Sequence, residues 1–170
     1  MTLDEIYRYE YQRLERLKAL AFGRFPDGVV GSINAKYLIV GEQVNGLTHG
    51  QEIPFHRIDH SSKYLMDTLD QATLNLSSCL LAFTNAILPG GKVTDKHRHR
   101  RKYTQDRDLK AVIQQLPNFR KAIALGTIAA HVCADQGVPY RSVPHPSYWK
   151  RFKHHDLKGY AKLLKEAMGG

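Results

Sequence analysis

Residues 36–46 read KYLIVGEQVNG. Tyr37 to Val40 form an unbroken apolar run, which suits a strand buried on both faces rather than one with a wet side. Gly41 closes the run, and a carboxylate, Glu42, follows at once. A strand of this kind belongs in a parallel sheet, whose neighbours must be joined by long crossovers, usually helices.

The flanking chain has that form. CLLAFTNAI (79–87) is a second apolar run and ends at Pro89-Gly90-Gly91. KAIALG (121–126) is a third, and VPYRSVPHP (138–146) is a fourth, extended segment. Between and around them lie helical patterns. In residues 3–20, Ile6, Tyr9, Leu14, Leu17 and Leu20 recur at near-helical spacing. Residues 60–75 read as a helix capped by Ser61 or Ser62. DLKAVIQQLPN (108–118), TIAAHVCADQG (127–137, closed by Gly137) and HDLKGYAKLLKEAM (155–168) complete the set. FGRFPDGVVGSINA (22–35) breaks the pattern with Gly, Pro and Asp. The alternation predicts the α/β class: a three-layer α/β/α sandwich around a central, mainly parallel sheet of about four strands. At 170 residues the chain is expected to form one domain over 1–170, with the N-terminal helix inside 1–22 as part of it.

Several classes are disfavoured. No run approaches the roughly 18 apolar residues of a membrane span, and the start MTLDEIYRYEYQ lacks the basic and apolar regions of a signal peptide. Cys79 and Cys133 lie far apart in apolar surroundings, so they read as reduced core residues of a cytoplasmic protein. No CxxC, HExxH or carboxylate-rich loop calls for a metal, and no GxGxxG or GxxxxGK[ST] follows a strand. No cofactor and no membrane partner are expected, and a monomer is the expected state.

The charge is more specific. The chain carries 25 Lys and Arg against 16 Asp and Glu, a net charge of +9, which favours a polyanionic partner. From Lys92 to Lys110 the sequence KVTDKHRHRRKYTQDRDLK holds eight Lys or Arg against three Asp. Such a run is either a solvated loop or a phosphate-contacting one. The second reading gains from another basic, aromatic segment, SVPHPSYWKRF (142–152).

In open parallel sheets a ligand binds beyond the carboxyl ends of the strands. Those ends are GEQVNG (41–46), TNAILPGG (84–91), LGTIAA (125–130) and PHPSYW (144–149). Glu42, Asn85 and His145 are therefore expected at one edge of the sheet.

Taken in order, these segments resemble the uracil-DNA glycosylase superfamily, and most closely its branch whose first motif reads Gly-Glu-Ala-Pro-Gly. GVVGSINAKYLIVGEQVNG, PFHRIDHSSKYLMDTL, FTNAILPGG, KAIALGTIAAHV and VPHPSYWKRF each parallel a segment of that branch, from about Gly28 onward. The resemblance implies a glycosylase that flips a base out of DNA, single- or double-stranded, and cleaves its N-glycosidic bond. That chemistry needs a ring to stack on, an amide to read the base edge, a donor for the departing anion and a carboxylate near the sugar or water. By resemblance Phe55 is the stacking ring, although a core Phe explains it equally well. Asn85 reads the pyrimidine edge, His145 donates to the base oxygen and Glu42 orients water and stabilises the sugar cation. Gln43 and Asn45 border the base. Ser147 grips a flanking phosphate, while Tyr148, Trp149 and Phe152 stand where related enzymes wedge into the vacated stack. Lys150 and Arg151, with Lys96, Arg98, Arg100, Arg101 and Lys102 of the basic run, hold the DNA backbone.

Three departures qualify this. The motif here is Gly41-Glu42-Gln43-Val44-Asn45, without its proline and with Asn45 where the branch has glycine near the 5-position of the base. Asn45 either narrows the pocket against thymine or reads a polar 5-substituent, so the expected substrate is uracil or a 5-substituted pyrimidine. The branch carries four cysteines for an iron–sulfur cluster; this chain has two, neither in the N-terminal pair. The segment after the second strand is unusually basic. Two alternatives stay open: a DNA-binding or base-modification protein of the same fold that leaves the bond intact, and an unrelated small-molecule α/β enzyme.

Overall fold

The computed structural model describes residues 12, 28–43, 64, 65, 67–69, 81–94, 102–153 and 156–169. The helix expected over 3–20 lies outside them except for Gln12, which is helical.

Among the described residues there are seven strands: β1 (Val30–Gly31), β2 (Tyr37–Gln43), β3 (Leu81–Ile87), β4 (Val93–Thr94), β5 (Lys102–Tyr103), β6 (Lys121–Leu125) and β7 (Tyr140–Val143). The described residues of the second half also form helices α1 (Leu109–Gln114), α2 (Thr127–Asp135), α3 (Pro146–Phe152) and α4 (Leu157–Gly169). The main sheet has five strands in the order β1-β3-β2-β6-β7. The four strands β3, β2, β6 and β7 are mutually parallel, and β1 runs antiparallel to β3. The protein is thus α/β with a mostly parallel mixed sheet. The sequence predicts about four strands; the fifth, β1, is two residues long, too short to show any periodicity.

Ile39 pairs with Phe83 on one side and Ile123 on the other, making an apolar row across three strands. On that face Tyr64, Leu65, Leu69, Tyr160 and Leu164 pack against the row. The opposite face presents Leu38, Val40 and the small side chains of Ala82, Ala86, Ala122 and Ala124, which let helix α2 come close through Ile128, Ala129, Val132 and Cys133. Each fully buried Leu, Ile or Phe contributes about 1.5–3 kcal/mol through burial. The adjoining helical residues therefore hold the sheet from both faces.

Turn chemistry sets the edges. Gly91 N–H donates to Leu88 O at 3.0 Å across Pro89 and Gly90, whose φ of +83° is the left-handed value a type II turn requires. Helix α2 ends as anticipated at Gly137: its N–H bonds Ala134 O at 3.1 Å, and Val138 N–H bonds Cys133 O at 2.9 Å, a Schellman stop. Strands β4 and β5 pair antiparallel on either side of the most basic stretch, residues 95–101, which lie outside the described residues. Among the described residues no helix is long and apolar enough to cross a membrane.

Candidate active site

Because the four long strands are parallel, their carboxyl ends share one edge. Along the chain the path goes from β2 to β3 on one side, then returns across β2 to β6 and β7 on the other. In open α/β sheets ligands bind where the path reverses in this way, and here that point falls between the ends of β2 and β6. The residues at that point are Glu42 and Gln43 on one strand and Gly126 on the other.

Register places the neighbours. Gly41 pairs with Asn85, so Asn85 lies beside a residue with no side chain. Val40 pairs with Ala124, which sets Glu42 level with Gly126. Leu81 and Phe83 pack with Ile39, whereas Ile87, two residues beyond Asn85, packs with Leu38, Val40 and Ala86, so the two-residue alternation of β3 breaks at its carboxyl end. Asn85 is 5% exposed. Its backbone carbonyl accepts a 2.8 Å hydrogen bond from Arg107 Nε.

His145 follows β7 and begins helix α3 as its N-cap, with Pro146 at the first helical position. Proline suits that position because its missing N–H has no partner to lose there. The Nδ1 atom of His145 accepts from Ser147 N–H at 3.2 Å and lies 2.7 Å from Ser147 Oγ. A backbone N–H can only donate, so Nδ1 is the acceptor, and the neutral ring assigned from this pattern carries its proton on Nε2. The imidazole is thereby held as a hydrogen-bond donor at Nε2.

Two further contacts fix the turn. Gly126 takes φ +89° and ψ −179°, and a Cβ there would meet His145 Cβ at 3.2 Å. On the other side, Tyr160 Oη donates to Pro144 O at 2.8 Å. Burial pushes the Tyr160 hydroxyl well above the usual phenol range, with nearby Tyr64 adding to the shift, so it stays a neutral donor.

The other expected site residues fall into three groups. Ser147 is engaged with His145, while Tyr148, Lys150 and Arg151 lie on helix α3. Trp149 is half-buried against the core: its Nε1 donates to Asp156 O at 2.8 Å and its ring lies 5.8 Å from that of Tyr160. It anchors the helix instead of projecting from it. Gln43 Nε2 donates to Leu88 O at 3.1 Å and Gly91 O at 2.7 Å, tying β2 to the turn after β3. With both amide hydrogens used, Gln43 can offer a base only its carbonyl oxygen. Lys102 lies on β5. Asn45, Phe55, Lys96, Arg98, Arg100 and Arg101 lie outside the described residues.

Sequence reasoning missed Arg107, Gly126 and Tyr160. Arg107 belongs to the basic run, yet it is 5% exposed and braces the end of β3 through Asn85 O and, by its own N–H, Ala86 O. No local signal separates it from its exposed neighbours. In the sequence Gly126 is only the last residue of KAIALG, and Tyr160 is one position within HDLKGYAKLLKEAM.

The residues present do not fit an iron–sulfur cluster. The chain has two cysteines, and Cys133 is enclosed by apolar neighbours that push its thiol up to about 12. Compared with known proteins, the chain matches no protein-family model and no curated protein.

Proposed function

We propose that this protein is a DNA glycosylase of the uracil-DNA glycosylase type, with that superfamily's three-layer α/β/α architecture, acting on uracil or a 5-substituted pyrimidine in DNA repair. The observation that carries the reading is His145, whose ring is oriented by the Ser147 N–H on its Nδ1, at the strand-end edge that also holds Glu42 and Asn85.

In the reaction, water adds to the sugar carbon as the bond from that carbon to the base nitrogen breaks. The bonding pair leaves with the base, and negative charge builds on its carbonyl oxygen. Nε2–H of His145 hydrogen-bonds that oxygen, and a preorganised donor of this kind is worth about 3 kcal/mol in the transition state. Glu42 stabilises the cationic sugar and accepts a proton from the attacking water. Asn85 pairs with the pyrimidine edge through its donor and acceptor.

The test is incubation with labelled oligonucleotides carrying uracil, 5-hydroxymethyluracil or other 5-modified pyrimidines, followed by alkali. Strand breaks at the modified base are expected, and Glu42→Gln and His145→Ala should each cut them on the order of 100-fold without matching loss of DNA affinity. Wild-type protein that binds DNA yet yields no alkali-labile site would overturn the reading in favour of base flipping without cleavage.

A further inference from the structure

Helix α3 displays two aromatic rings as a pair. Tyr148 and Phe152, one turn apart, are 53% and 57% exposed, and their centroids lie 4.7 Å apart with planes inclined by 41°. The Arg151 guanidinium stands 5.9 Å from the Phe152 ring centre, and Lys153 Nζ lies 5.7 Å from that of Trp149. Lys150 belongs to the same helix. Trp149 and His145 root this helix in the fold, so the pair is presented on a fixed support beside the strand-end edge.

We infer that the Tyr148–Phe152 pair is a stacking platform for unpaired bases, which makes single-stranded DNA the favoured partner of this face. The placement beside His145 rests on the glycosylase reading, but binding to the platform requires no cleavage. A wedge that opens a duplex is an apolar side chain slipped between neighbouring base pairs. Here the two rings pack on each other in an offset, tilted contact, on a helix about 10–12 Å across with its side chains, too broad for a single base step. Exposed ring faces bordered by cations are instead the means by which proteins hold single strands: bases stack on the rings while the groove's charge follows the backbone. Arginine beside a ring adds a cation–π contribution and remains available to phosphate. The net charge of +9 is complementary to such a strand.

The experiment measures anisotropy of a labelled oligothymidine and of a blunt duplex of equal length, at matched salt, for wild type and a Tyr148→Ala/Phe152→Ala variant. Both rings are exposed, so the variant should keep the wild-type thermal midpoint and circular dichroism. Wild type should bind the single strand more tightly. The double variant should lose on the order of tenfold or more for the single strand, with duplex binding and the salt slope nearly unchanged, because stacking is removed and phosphate contacts are kept. Preference for the duplex, or a loss in the variant confined to the duplex or equal for both forms, overturns the inference. Single-strand binding without base release would sustain it while removing the glycosylase reading; base release with no effect of the double variant on binding would do the reverse.

Discussion

Replacing Gly126 by alanine tests the geometry of the site directly. The residue sits at φ +89° and ψ −179°, a region that side-chain-bearing residues rarely adopt, at a cost of about 1–3 kcal/mol. The added methyl would also lie 3.2 Å from His145 Cβ and 3.7 Å from its Cδ2, so the histidine must move by a few tenths of an ångström. It has little room to do so, because Ser147 holds its ring and Tyr160 holds the preceding carbonyl. Gly137 is the matched control: φ is +69°, but nothing lies within 4 Å of its would-be Cβ. Its alanine variant bears a left-handed backbone cost of about 1–2 kcal/mol and no effect on His145. Thermal unfolding should show both variants lowered, at roughly 2–4 °C per kcal/mol for a chain of this size. Single-turnover base release, normalised to folded protein, should separate them. Gly126→Ala should fall by about tenfold, less than the roughly 100-fold that a full ångström of misplacement costs, whereas Gly137→Ala should match wild type. Equal release by the two variants would refute the claim that Gly126 sets the position of His145.

Tyr160→Phe removes only the hydroxyl that donates to Pro144 O. It should cost about 1 kcal/mol of stability and lower kcat with KM nearly unchanged; steady-state kinetics that show a change in KM alone would contradict a positioning role. Cys133 should make the fold sensitive to alkali. Burial raises its thiol from 9.0 to about 12, so the unfolded chain gives up the proton first. This contribution to stability is fully present below about pH 9 and is lost as pH rises toward 12, by at most about 1.4 kcal/mol per pH unit. Urea titrations across that range should show a shallower alkaline decline in Cys133→Ala, with Tyr64 and Tyr160, whose hydroxyls are shifted upward too, supplying the remainder. Identical declines in the two proteins would exclude the thiol as a cause.

Local signals were sufficient where structure depends on neighbours in sequence. The apolar runs at 37–40, 81–87 and 121–125 announced buried strands, and the glycines and prolines at their ends announced turns; Gly90 and Gly137 adopt the positive φ such turns demand. The alternation of strands with helical patterns determined the α/β class, and parallel strands in turn required Glu42, Asn85 and His145 to share an edge. Helix α3 could also have been found, since His145-Pro146-Ser147 is an N-cap followed by proline at the first helical position.

What tertiary structure alone decided is how those groups are held. Gln43 looks like a base reader until the turn at 88–91 takes both hydrogens of its amide. Arg107 looks like one more solvated cation until β3 folds beside it, and Trp149 looks like a wedge until Asp156 accepts its indole N–H. Each of these partners lies between 7 and 48 residues away along the chain, and a hydrogen bond depends on position to within tenths of an ångström. Residue type and spacing specify which groups reach the sheet edge. Only the packed fold determines which of them remain free to meet a ligand, because burial obliges every polar group to find a partner wherever the chain brings one.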